Sequence, residues 1–141
     1  MVINLNELKL DTIDNLISLA VFGSYGTPYW RKSYSDIDIL VIMDKRNDIM
    51  DEINLEEIIM PILINHFKYD NIHLTFINMS EFDSIFARQY LDSEDKLIID
   101  ELKEIDFRLY INKYLRSNDW LIEKTKEDSK FLEDINGSSI L

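Results

Sequence analysis

Asp36 and Asp38, set one residue apart, are the residues of this chain best suited to chemistry. They open the run Asp36-Ile37-Asp38-Ile39-Leu40-Val41-Ile42-Met43, which alternates polar and apolar and then turns wholly apolar, as a central strand does. On a strand, side chains at i and i+2 share a face. Two carboxylates side by side repel, and a cation between them relieves that cost. Hard oxygens suit Mg²⁺, which fills the rest of its shell with waters and substrate phosphates. Upstream, Gly23-Ser24 stops the apolar run Leu19-Ala20-Val21-Phe22, which reads as a buried strand. Glycine lets the backbone approach a ligand closely. The N–H groups of such a turn, with the Ser24 hydroxyl, suit phosphate oxygens. Each signal alone is weak, because acid pairs are common on surface strands and a Gly-Ser pair after a strand is usually a turn. Their order along the chain is the stronger signal: strand, Gly-Ser, eleven residues, then the acid pair.

The elements that must position these groups follow from apolar spacing. Residues 7–19 read as a helix with Leu8, Ile13, Leu16 and Ile17 on one side, or as a shorter helix capped by Asp11. The spacer 25–35 holds Gly26 and Pro28 and reads as a short helical turn or a loop. Asn54-Leu55-Glu56-Glu57 looks like a capping box starting a helix that buries Leu55, Ile58, Ile59, Ile62 and Leu63, with Pro61 kinking or splitting it. Ile72 to Ile77 is a third strand, with Ile72, Leu74 and Phe76 on one face and His73, Thr75 and Ile77 on the other. A helix beginning at Ser80 or Glu81 runs to about Tyr90, and residues 101–135 form one or two long helices, with a break at Ser117-Asn118-Asp119. The tail from Asn136 reads as frayed. The order predicts an α/β (α+β) fold: a small mixed sheet flanked by helices, with a helical C-terminal third. The 141 residues fit one domain, with a core at about 10–90 and C-terminal helices at about 100–135.

Composition narrows the function. The net charge is −12, with acid in excess in both 1–90 and 91–141, so a nonspecific binder of nucleic acid is disfavoured. The charge reads first as a solubilising surface and second as a complement to a basic partner. The absence of cysteine excludes disulfides and thiolate metal sites. No apolar run has the length of a membrane span and no basic leader precedes an apolar stretch, so the expectation is a cytoplasmic protein without membrane contact.

With these residues placed, the stretch GSYGTPYWRKSYSDIDILV resembles the motif of nucleotidyltransferases of the DNA polymerase beta superfamily: Gly-Ser, a spacer of about ten residues, then Asp-x-Asp. The spacer here is one residue longer than the commonest. The small size and the stretch YLDSEDKLIIDE look like the minimal nucleotidyltransferases, many of which act as antitoxins that attach AMP to a tyrosine of a HEPN-domain toxin. The likeness covers about residues 10–115 and is specific in 20–43. It implies that Gly23 and Ser24 bind the phosphates of ATP, with Arg31, Lys32 and Ser35 also assigned to the nucleotide. It implies that Asp36 and Asp38 bind Mg²⁺, with Mn²⁺ as the alternative. For Arg31 and Lys32, solvated loop charges are an equal reading. Tyr25, Tyr29, Trp30 and Tyr34 either stack on a base or pin the loop to the core, the commoner role.

The sequence departs from the pattern at the third carboxylate, which such enzymes carry on a later strand. The matching position is His73. An imidazole can take a proton from a hydroxyl, so His73 is placed with Asp36 and Asp38 as catalytic; it is a poor ligand for Mg²⁺ and a better one for softer ions. Asp70 would serve only in a different strand register, and His66 has no expected role. Three functions follow: AMP transfer to a protein hydroxyl, a decayed site that neutralises a basic partner by binding, and transfer to an antibiotic hydroxyl, against which stands the lack of a sizeable second domain. Tyr110, Tyr114, Trp120, Leu121, Phe131 and Leu132 read as core first and partner surface second.

Overall fold

The computed structural model describes residues 2–117. Its centre is a four-stranded mixed sheet of β1 (Leu16–Phe22), β2 (Ile37–Met43), β3 (Ile72–Asn78) and β4 (Lys96–Ile98) in the order β3-β2-β1-β4. Strand β1 is antiparallel to β2 and β4, and β2 is parallel to β3. A parallel neighbour needs a crossover, and α1 (Ile49–Phe67) supplies it. Two further helices, α2 (Ile85–Asp92) and α3 over 101–117, lie on the opposite face.

Alternation decides which helix each strand residue meets. Ile37, Ile39, Val41 and Met43 of β2 face α1, joining Leu55, Ile59, Leu63 and Phe67, while Leu40 and Ile42 face Ala87 and Tyr90 of α2 and Phe107 and Ile111 of α3. The expected facing of β3 holds: Ile72, Leu74 and Phe76 pack with the α1 cluster, and Ile77 with the other. Each fully buried side chain of this kind contributes about 1.5–3 kcal/mol.

Several expected elements differ. Residues 7–19 are not a helix: Leu5–Glu7 make one 3-10 turn, and the chain enters β1 at Leu16. Leu16, Ile17, Leu19 and Ala20 are buried because β1 is covered on both faces, and a doubly covered strand imitates helical spacing in sequence. Asn15 fixes the entry to β1 with φ 67, a conformation Asn tolerates, while its side chain exchanges hydrogen bonds with the Lys45 backbone. Helix α1 starts earlier than expected, because Asp48 caps it by accepting from Met50 N at 2.9 Å; Asn54 is an exposed residue inside the helix. Ile58 is half exposed rather than buried. Pro61 does not split α1. It sits on the exposed side, where the carbonyl left without a donor can meet water. The helix expected from Ser80 becomes two pieces, because two residues compete as caps: Asn78 for a 3-10 turn at Met79–Glu81, and Ser84 for α2. Strand β4 had no sequence signal, being three residues long. Residues 118–135 and the tail from 136 lie outside the described residues, as do Trp120, Leu121, Phe131 and Leu132. Tyr110 and Tyr114 are partly exposed and pack beside Phe82.

Candidate functional site

Strand pairing brings three points of the sequence into one row. Phe22 at the end of β1 pairs with Asp38, and Asp38 pairs with His73. The register leaves Asp70 ahead of β3, so the residue beside Asp38 is His73, with Nδ1 3.4 Å from Asp38 Oδ1. Gly23 follows Phe22 with φ 75 and lies against the same carboxylate: a Cβ there would sit 2.6 Å from Asp38 Oδ2. The missing side chain therefore makes the space in which the carboxylate sits, and the positive φ turns the chain away from β1.

The electrostatics single out Asp38. Partial burial raises its carboxyl above the ordinary range, the neighbouring Asp36 charge raises it further, and His73 opposes both. The Asp36 charge beside Asp38 is the kind of repulsion that a cation removes. As a donor set, two carboxylates fit one divalent ion that arrives with a triphosphate and takes its remaining ligands from phosphate and water. Among the described residues no three potential ligands gather into a preformed metal cluster.

The spacer is a loop of turns rather than a helix. Ser24 O accepts from both Thr27 N, at 3.0 Å, and Thr27 Oγ1, at 2.6 Å. Two of its four aromatics anchor it: Trp30 meets Tyr25 and Tyr69 edge-on, and Tyr25 meets Phe67. The Trp30 indole N–H donates to Asp36 O at 2.8 Å, tying the loop to the first aspartate. Tyr29 and Tyr34 remain exposed, at 85% and 87%. Ser35 stabilises the loop, its hydroxyl accepting from Arg31 N at 3.0 Å and its carbonyl from the Tyr69 hydroxyl. Arg31 and Lys32 are exposed and make no ion pair among the described residues; Lys32 borders a separate cleft with Tyr69 and Asp70. His66 Nε2 lies 2.8 Å from Asn4 O, holding the N-terminal segment.

Beside Gly23, on the β4 side, opens a cavity of about 720 Å³ whose wall comes partly from the α2–β4 connection. The wall residues Gln89, Asp92, Ser93, Glu94 and Asp95 escaped sequence reasoning because they lie about seventy positions from Gly23; their only signal was the YLDSEDK stretch as a whole.

The family model of the nucleotidyltransferase domain matches residues 6–138, and the chain belongs to that family. No curated protein and no solved structure matches it. Members of the family generally take a nucleoside triphosphate and a divalent ion, so the membership makes this protein a nucleotidyltransferase by class. Among the described residues no helix is long and apolar enough to cross a membrane.

Proposed function

We propose that the chain transfers AMP from ATP to a hydroxyl of a partner protein, at a site made by Gly23, Asp36, Asp38 and His73. The observation that carries this reading is the close fit of Asp38 against the side-chain-free Gly23, with His73 in register on the other side. The glycine turn and Ser24 receive the phosphates, and Arg31 and Lys32 lie on the loop between the two halves of the motif. Asp36 and Asp38 hold a divalent ion, Mg²⁺ or Mn²⁺, which when bound neutralises charge on the phosphates. The acceptor oxygen forms a bond to the α-phosphorus, the bond to pyrophosphate breaks, and the acceptor's proton passes to the His73 imidazole. Ser35 shapes the loop that presents the nucleotide.

The acceptor that best suits the resemblance and the charge of −12 is a basic HEPN-domain toxin, with this chain as its cytoplasmic antitoxin. A second reading is favoured by the imidazole at the third carboxylate position: the fold neutralises that toxin by contact alone.

Intact mass of the two proteins after incubation with ATP and Mg²⁺ or Mn²⁺ separates them. The transfer reading expects a gain of one or more adenylyl groups on the partner that disappears with Asp36→Ala. No gain with either ion, in a complex that still protects, would leave contact alone.

A further inference from the structure

We infer that the cavity beside Gly23 is the nucleoside subsite and that Gln89 selects a purine bearing an exocyclic amino group. The inference rests on the transfer reading above, because it places the base of the same nucleotide. At about 720 Å³ the cavity has the volume of a small-molecule site, and it begins at the turn assigned to the phosphates.

Its lining argues for a base rather than for phosphate. Among the described residues no lysine or arginine borders it, and the charged lining residues are Asp92, Glu94 and Asp95. Acidic walls repel a triphosphate and accept hydrogen bonds from amino groups. Asp95 is already committed, with its two oxygens accepting from Leu5 N at 2.7 Å and Asn6 N at 2.9 Å. Aromatic surface is present as well: Phe22 and Tyr25 border the cavity. Tyr25 is held rigid, its hydroxyl accepting from Ile3 N at 2.8 Å and its ring wedged edge-on between Trp30 and Phe67. A fixed aromatic edge beside a cavity suits the face or rim of a planar base.

Gln89 supplies the discriminating group. It lines the cavity from α2, and its Oε1 is buried with no hydrogen-bond partner among the described residues. An acceptor left in that state is costly, and the broad, two-fold torsion at the end of a glutamine side chain lets the amide turn toward a ligand. A primary amide matches adenine with two hydrogen bonds, accepting from the N6 amino group and donating to a ring nitrogen. The phosphates thus lie at the Gly23 turn, the base extends into the cavity on the β4 side, and the acceptor approaches from the side of His73.

The test is equilibrium binding to the full chain in Mg²⁺ of ATP and of purine riboside triphosphate, which lacks only the amino group, with inorganic triphosphate as the probe of the phosphate site. The expected result is ATP binding tighter than the deaminated analogue by on the order of tenfold, one buried hydrogen bond's worth. Gln89→Leu should abolish that preference, weakening ATP by more than the analogue, which keeps only the ring nitrogen to which the amide donates. Equal binding of the two nucleotides by the natural chain, with binding still dependent on Asp38, would overturn the base assignment and leave the transfer reading intact. Failure of every triphosphate to bind would remove both. The nucleotide pair decides the matter on the natural chain even where Gln89→Leu does not fold.

Discussion

The two faces of the sheet are built to different rules. Against α1 the packing is purely apolar: Ile39, Val41 and Met43 meet Leu55, Ile59 and Leu63, all of them buried. The other face buries polar groups. Ser18 Oγ and Tyr90 Oη lie 2.8 Å apart, Tyr90 donates to Glu104 at 2.8 Å, and Arg108 Nε holds Glu104 at 2.9 Å. Glu104 is 1% exposed, so the arginine and the tyrosine together compensate a charge that would otherwise be costly. Burial pushes the Tyr90 hydroxyl well above its ordinary range and holds the Lys96 ammonium, which lies over the Tyr90 ring, below its own. Asp38 projects on this same polar face, at its end near Gly23. One face therefore secures the fold cheaply, and the other carries the groups that need an exact partner, including the candidate site.

The largest expected effect falls at the end of the polar face, at the Gly23 turn. Gly23→Val drives a side chain into the Asp38 carboxylate at a position where φ is also unfavourable, and transfer should fall on the order of 10²-fold in a rate assay. Gly26→Ala is the control. Its φ of 85 makes it a strained substitution too, but the nearest atom to its Cβ is a Val2 methyl at 3.9 Å, so stability should drop and the rate should fall by much less than in Gly23→Val. Equal rate losses in the two variants would mean that backbone strain, and not the approach to Asp38, is what matters at Gly23.

Next in size is the buried network. Tyr90→Phe removes the hydroxyl from Glu104 and from Ser18, and urea unfolding should show a loss of about 1–3 kcal/mol. No loss would mean that the polar face tolerates an unpaired group, and the contrast between the faces would fail.

The smallest effect concerns Asp38 itself. Its folded-state pKa is raised, so the ionised form is the less favoured one in the folded chain. The resulting cost is present above that pKa and is relieved as pH falls through it. Without metal or nucleotide, Asp38→Asn should therefore raise Tm slightly at neutral pH, and the gain should shrink on acidification. A lower Tm at neutral pH would show that the His73 contact outweighs burial and the repulsion from Asp36.

What was legible in the sequence is what a local pattern carries. Strands β2 and β3 and their facing could be read because each shows alternation, and the motif could be read because Gly23, Asp36 and Asp38 are near neighbours along the chain. The N-terminal segment misled because β1 is apolar on both sides and its spacing coincides with that of a helix. Asn54 misled because Asp48, six residues earlier, is an equally good cap followed by helix-compatible residues. The position of His73 beside Asp38 followed from register, but Gln89, Tyr90 and Glu104 acquire their neighbours only when α2 and α3 close over the sheet, which no local pattern announces.

In the proposed transfer site, Asp36 and Asp38 together receive a divalent ion delivered with the nucleotide. Electron paramagnetic resonance of Mn²⁺, titrated with the protein in the presence and absence of a non-reacting ATP analogue, tests it directly. The expected result is weak binding of the ion alone, clear binding when the analogue is present, and loss of that enhancement in Asp38→Ala. An enhancement that persists unchanged in Asp36→Ala and Asp38→Ala would contradict it.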